Sequence, residues 1–164
     1  MDLHLIFAKL AWLFLIAVML IRPVNDVFCF GLCRSGMRYR KYLGIAAGIF
    51  AVLHVIWFMV EYGLDVGFFI GPVWDFTNLF GWGMLALIFI LPPLLTSNVW
   101  SQKIFQKNWK LIQKLSYLAF VFTGIHIAFI VDRLWVGLVP VVVWLIFVIV
   151  ANVKKDCQKN YCKK

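Results

Sequence analysis

The sequence predicts an all-α integral membrane protein, a bundle of five transmembrane helices with the N-terminus outside and the C-terminus in the cytoplasm. Of its 164 residues, 64% are hydrophobic and only 14% are charged, whereas a soluble domain has roughly half and a quarter. The mean hydropathy is +0.93. These proportions argue against a soluble globular domain. They also exclude a disordered chain, because low hydrophobicity is the signature of disorder.

Five apolar stretches are long enough to cross a hydrocarbon core, which takes about 20 residues as a helix. They cover about residues 3–21, 43–62, 79–95, 112–131 and 134–153. The first has neither a basic segment before it nor a small-residue cleavage site, so it is interpreted as a retained span. The longest connection, about residues 22–42, contains a proline and two glycines and is expected to fold back as a loop. Residues 1–164 are thus expected to form one transmembrane domain, with a basic cytoplasmic tail over 154–164.

The basic residues predict the orientation. All 16 Lys and Arg except Lys9 and Arg133 lie in or beside the first and third connections and the tail, and positive connections mark the cytoplasmic side. The acidic residues expected on the outer side are Glu61, Asp65, Asp75 and Asp132. Orientation and attraction to anionic lipid account for the net charge of +9, so no nucleic acid is needed to explain it. The expected location is the inner (plasma) membrane, as a multi-pass protein.

Two histidines lie deep within the predicted spans, where ionisable groups are costly and usually functional. Counting from cytoplasmic ends near residues 42 and 112, His54 lies ~18 Å and His126 ~21 Å along parallel helices at about 1.5 Å per residue. Two neutral imidazoles at matched depth are the axial ligands that a b-type haem needs. The alternative is that each imidazole only makes an interhelical hydrogen bond. His4, near the outer end of the first helix, is expected to lie at the surface.

Small and helix-breaking residues make further predictions. Gly44 and Gly48, four residues apart in the second helix, are typical of helix packing. Pro92-Pro93 are expected to end the third helix, with residues 96–98 capping the freed backbone groups.

Three segments, in order, carry a resemblance to a known family. Residues 40–44 (RKYLG) precede His54, residues 94–98 (LLTSN) end the third span, and Trp109, Leu115 and Tyr117 precede His126. This arrangement resembles ferric-reductase-like transmembrane domains. Within that family it is most similar to the MsrQ/YedZ type, the haem-binding membrane subunit of the bacterial methionine sulfoxide reductase system. The similarity extends over most of residues 5–130.

The resemblance implies a haem b electron conduit, an electron-transfer subunit of an oxidoreductase, with His54 and His126 at the family's ligand positions. The donor would be a cytoplasmic flavoprotein reductase or a quinone, with flavin or quinone as a possible further cofactor. The acceptor would be an exported reductase or a small molecule outside. Gln113 stands where the family motif has another histidine. Glutamine is a poor haem ligand, so the resemblance supports one haem towards the outer face and leaves a second one open.

A few polar residues remain. Arg133 is the outer cation able to pair with a haem propionate. The four cysteines are expected to be cytoplasmic and reduced, either ordinary or lipid-modified thiols, or else a four-thiolate metal site. They are Cys29, Cys33, Cys157 and Cys162. The rival interpretation of the whole chain is a haem-free membrane scaffold or small-molecule carrier, in which His54 and His126 only pack.

Overall fold

The computed structural model describes residues 3–28, 31–63, 79–131 and 133–161, and these segments are almost entirely helical. They contain five helices: α1 (Leu3–Phe28), α2 (Gly31–Tyr62), α3 (Leu79–Leu95), α4 (Val99–Ile130) and α5 (Leu134–Tyr161). The prediction of an all-α fold is therefore confirmed. Three of the acidic residues expected on the outer side, Asp65, Asp75 and Asp132, lie outside the described segments.

Four helical segments within the described residues are long and apolar enough to cross a bilayer. They are Leu3–Phe28, Tyr39–Tyr62, Val99–Ile130 and Leu134–Lys154. The remaining helix is apolar over Phe80–Leu95 but shorter. Length and composition thus identify a multi-pass membrane protein with at least four candidate spans.

The helices extend beyond the apolar stretches that predicted them. α1 continues to Phe28 and α2 already begins at Gly31, so the expectation of a folded-back loop over residues 22–42 is wrong for all but residues 29–30, which are not described. The reason is that hydropathy marks the part of a helix that lies in lipid, while the backbone continues helical into polar residues. A contact with α5 supports the extension, because Lys154 Nζ donates to the carbonyl of Val27 at 2.8 Å.

α4 consists of two helical pieces joined at Gln106. This residue has φ 43° and ψ −112°, a combination that favours glycine and costs about 1–3 kcal/mol in other residues. The first piece starts at an N-cap, where Asn98 Oδ1 accepts from the backbone N–H of Ser101 at 2.7 Å. The break separates this leading piece, which carries Lys103, from the longer part of α4 that packs in the bundle.

The five helices form a ring in which each packs on the next and α5 closes on α1, while α1 also touches α4. The core lies where α1, α4 and α5 meet. There the ring of Phe120 stacks on Trp12 at 5.2 Å and meets Trp144 edge-on at 5.8 Å. Phe120 on α4 and Met19 on α1 are both fully buried. The two predicted ligand histidines lie on α2 and α4. Each of these helices contacts both α1 and α3.

α4 and α5 approach each other through glycines. A Cβ added at Gly137 would collide with the carbonyl oxygen of Gly124 and lie 2.7 Å from the backbone nitrogen of Ala128. By contrast, of the two glycines predicted to pack in α2, only Gly48 lies close to a neighbouring helix. A Cβ at Gly48 would lie 2.8 Å from the Leu94 side chain, whereas one at Gly44 would have no atom of the described residues within 4 Å.

Candidate functional site

His54 lies half-buried on α2 and is held by the first turn of α1. Its Nδ1 lies 2.8 Å from the backbone carbonyl of His4. A carbonyl can only accept, so Nδ1 carries the proton and the neutral ring keeps its lone pair on Nε2. In a metal-binding histidine, a hydrogen bond from the ring nitrogen that does not bind the metal normally fixes the orientation of the ring.

His4 is buried, and the expectation that it lies at the surface is wrong. It is only 6% exposed, and its Nδ1 donates to Glu61 Oε2 at 2.7 Å. Its ring packs edge-on against Phe58 and Tyr62, with centroid distances of 5.5 and 5.8 Å. Hydropathy places His4 near the end of a span, but it cannot show that the end of α2 covers it.

His126 lies on α4, half-buried, with its ring against α3. A Cβ added at Gly83 would lie 2.6 Å from Cε1 of this imidazole, so the absence of a side chain at Gly83 makes room for the ring. One turn earlier, the Thr123 hydroxyl donates back to the carbonyl of Ala119 at 2.7 Å. Each predicted ligand histidine is thus seated against a different neighbouring helix.

The two imidazoles lie at similar levels in the bundle, as contacts through α3 indicate. The rings of Phe58 on α2 and Phe80 on α3 are 5.8 Å apart. His54 lies four residues deeper than Phe58 along α2, and Gly83, which His126 touches, lies three residues deeper than Phe80. At about 1.5 Å per residue these offsets are about 6 and 4.5 Å. The two levels therefore agree to within about one helical turn.

This donor set fits a haem iron better than a free metal ion. It offers imidazoles from two helices in aromatic surroundings, where the ring of Phe122 lies 5.9 Å from Trp82 and 5.4 Å from Phe89. In the part of the chain that is described, no group of three or more His, Cys, Asp or Glu side chains could hold a metal ion. Two imidazoles without a third ligand suit an iron whose other four positions are filled by a macrocycle.

The other candidates from the sequence lie elsewhere. Arg133 is exposed just before α5, where its carbonyl accepts from Val136, at the same end of the bundle as His4 and Glu61. Within the described segments no hydrogen bond or ion pair involves its guanidinium, so pairing with a propionate stays a prediction. Cys29 and Cys162 lie outside the described residues. Cys33 and Cys157 lie within helices, but their side chains are not described. The four-thiolate alternative is therefore not tested.

Gln113 has a structural role at the opposite end of the bundle. Its Nε2 donates to the carbonyl of Pro93 and to Thr96 Oγ1, both at 3.1 Å. Nearby, Thr96 Oγ1 donates to the carbonyl of Pro92 at 2.7 Å, and Trp109 Nε1 donates to the carbonyl of Thr96 at 2.8 Å. The expected capping after the proline pair is thus confirmed, and the amide at position 113 contributes to it from α4.

A cavity of about 300 Å³ opens at this same end, between α1, α2, α4 and α5. Its polar lining consists of Arg22, Asp26, Arg40, Tyr117 and Asn152, and buried apolar side chains close its other side. Sequence patterning gave no sign of this cavity, because its residues come from four helices far apart in the chain.

Comparison with known proteins gives a family match. Residues 4–124 match the family described as ferric reductase like transmembrane component. The matched segment includes His54 and ends two residues before His126.

Curated relatives agree with that family match. The chain is 32% identical over 116 residues to the protein-methionine-sulfoxide reductase heme-binding subunit MsrQ of Brucella ovis and of Brucella suis. It is 31% identical over 119 residues to the protein of the same name from Brucella anthropi. Each alignment covers 69% of this chain and 50% of the relative, so the chain spans about half the length of these relatives. No solved structure matches it.

Proposed function

Because the chain belongs to the family of ferric reductase like transmembrane components, we propose that it binds one b-type haem between His54 and His126 and transfers electrons across the membrane. The names of its relatives specify a heme-binding subunit. The observation that carries the proposal is the placement of two imidazoles at similar levels on helices that flank α3, with His54 oriented by a hydrogen bond. When bound, the haem supplies a one-electron carrier.

The proposed topology has five spans, with the N-terminus outside and the C-terminus in the cytoplasm. The 17 residues of α3 are at the lower limit of a transmembrane helix. A span at α3 also keeps consecutive helices antiparallel, so the ends rich in Lys and Arg share one side. Contacts support that grouping, since Lys154 bonds to Val27 and both Arg22 and Arg40 line one cavity. By the positive-inside rule, this side is cytoplasmic.

The cavity at the basic end is the proposed approach of the electron donor. Tyr117 in its lining lies nine residues before His126 on α4, a rise of about 14 Å. A quinone or a flavin from a cytoplasmic reductase that enters there comes closer to His126 than a donor held at the helix end. On the opposite side, His4, Glu61 and Arg133 mark the proposed outer face, where an exported reductase or a small molecule would accept electrons.

Transmembrane electron transfer can be measured in sealed vesicles. The haem-loaded chain is reconstituted into vesicles that enclose ferricyanide, and dithionite is added outside. We expect wild type to bleach the enclosed ferricyanide faster than empty vesicles, and the double variant His54→Ala/His126→Ala to match empty vesicles. The exposed Gln102→Ala substitution serves as the control and should transfer like wild type.

Two results would contradict the proposal. One is a wild-type rate no higher than that of empty vesicles. The other is a double variant that transfers as fast as wild type. The first result would favour the haem-free scaffold or carrier, in which His54 and His126 only pack. The second would show that electron transfer does not depend on these two histidines.

A further inference from the structure

A chain of two hydrogen bonds links Glu61 to His54 through His4. The Glu61 carboxylate accepts from His4 Nδ1 at 2.7 Å, and the backbone carbonyl of His4 accepts from His54 Nδ1 at 2.8 Å. Glu61 and His54 are seven residues apart on α2, which places them on one face two turns apart. His4 spans these two turns from α1, so the start of α1 is fastened to α2 at both points.

The surroundings of His4 make this link rigid. Its side chain is 8% exposed and that of Glu61 is 33% exposed. The His4 ring lies 6.0 Å from the ring of His54 and meets Phe58 edge-on. The His4 carbonyl has two lone pairs, so it can accept from His54 in addition to its own helical bond. His54 therefore takes its orientation from a backbone atom whose position depends on the Glu61–His4 pair.

We propose that Glu61 and His4 are positioning residues for His54: they fix the orientation and tautomer of its ring, and the Glu61 carboxylate favours the oxidised form of the group that His54 binds. This inference rests on the proposed function. Outer-shell partners of a metal-binding histidine set its tautomer, orientation and basicity. A negative charge in a half-buried site also stabilises a nearby added positive charge more than it does in water.

The sign of the electrostatic effect follows directly. Oxidation of haem iron adds one positive charge to the site, which the Glu61 carboxylate stabilises. Glu61→Gln keeps the size of the side chain and an acceptor oxygen but removes the charge. The oxidised form then loses stabilisation, and the midpoint potential rises.

The test is a redox titration of the purified, haem-loaded chain, followed optically, with paramagnetic resonance spectra of the oxidised state. We expect Glu61→Gln to raise the midpoint potential and to shift or broaden the low-spin signal, because the ring of His54 is held less firmly. Glu61→Asp keeps the charge and should restore a potential close to that of wild type. Lys103→Gln removes an exposed charge at the opposite end of the bundle, outside the cavity, and is the control that should change neither quantity.

The failures of the two proposals are distinguishable. A wild-type chain that binds no haem would overturn the proposed function, and this inference with it. A wild-type chain that binds haem, with a Glu61→Gln variant of unchanged potential and unchanged resonance spectrum, would overturn this inference alone. A thermal melt of the haem-free chain adds a separate readout. Glu61→Gln should lower the midpoint temperature of unfolding. An unchanged midpoint temperature would show that the Glu61–His4 pair does not fasten α1 to α2.

Discussion

Substituting glycine for His54 or His126 is expected to abolish the absorption and resonance spectrum of six-coordinate, low-spin haem in the purified chain. If His54 and His126 bind the iron as proposed, each substitution would remove one of its two imidazole ligands, and the iron would become five-coordinate or the haem would be lost. The glycine leaves a gap the size of the imidazole. Free imidazole added to either variant should therefore restore the low-spin spectrum, a result that only a ligand position gives.

A substitution beside His126 that changes neither proposed ligand provides a further test of the haem site. Gly83→Ala puts a Cβ 2.6 Å from Cε1 of His126, so the ring must turn or move, and we expect lower haem occupancy. Gly44→Ala is the matched control, because its Cβ meets nothing within 4 Å. If both histidine variants keep the wild-type spectrum, the haem is held elsewhere and the assignment of the ligands is wrong.

The largest expected effect on stability is at the contact between α4 and α5. A Cβ at Gly137 collides with the backbone oxygen of Gly124, and backbone atoms, unlike the end of a side chain, cannot rotate away. Gly137→Leu must therefore separate the two helices around Ala128. We expect a loss of roughly 3 kcal/mol or more in the free energy of unfolding, at or beyond the upper end of the usual cost of overpacking.

Unfolding in detergent, followed by tryptophan fluorescence, measures this loss. Gly44→Leu is the control, because it makes the same change of residue type in a helix where the Cβ has open space. Both variants gain helix propensity equally, so the difference between them isolates the packing term. Equal unfolding midpoints for the two variants would show that α4 and α5 do not meet at Gly137.

The fold class follows from the sequence because lipid leaves few options. Backbone groups in lipid must bond within the protein, and long continuous apolar stretches do so as helices; the five apolar stretches correspond to the five helices. The helix ends were not predictable in the same way. α2 begins at Gly31 and α4 at Val99, well before their apolar parts, because polar residues outside lipid can continue a helix without any hydropathy signal.

The candidate site was predictable only in part. His54 and His126 stand out because ionisable groups deep in spans are rare. The link through His4 was missed, since His4 and Glu61 are 57 residues apart and each sits where a surface position is the default. One signal was present: both are ionisable and both lie near the predicted outer ends of consecutive, antiparallel spans. Such ends lie side by side, so the pair was a candidate contact. The role of Gln113 depends on the contact of its amide with the carbonyl of Pro93 and with Thr96 at the end of α3, and no spacing along the chain reveals that contact.

We propose that His54 and His126 hold a single haem b. Haem content per chain, measured as the pyridine complex together with the dithionite-reduced minus oxidised spectrum, tests it most directly. We expect one haem b per wild-type chain, with a low-spin, six-coordinate spectrum, and none in the His54→Ala/His126→Ala variant. A colourless wild-type chain, or a double variant with full haem content, would contradict it.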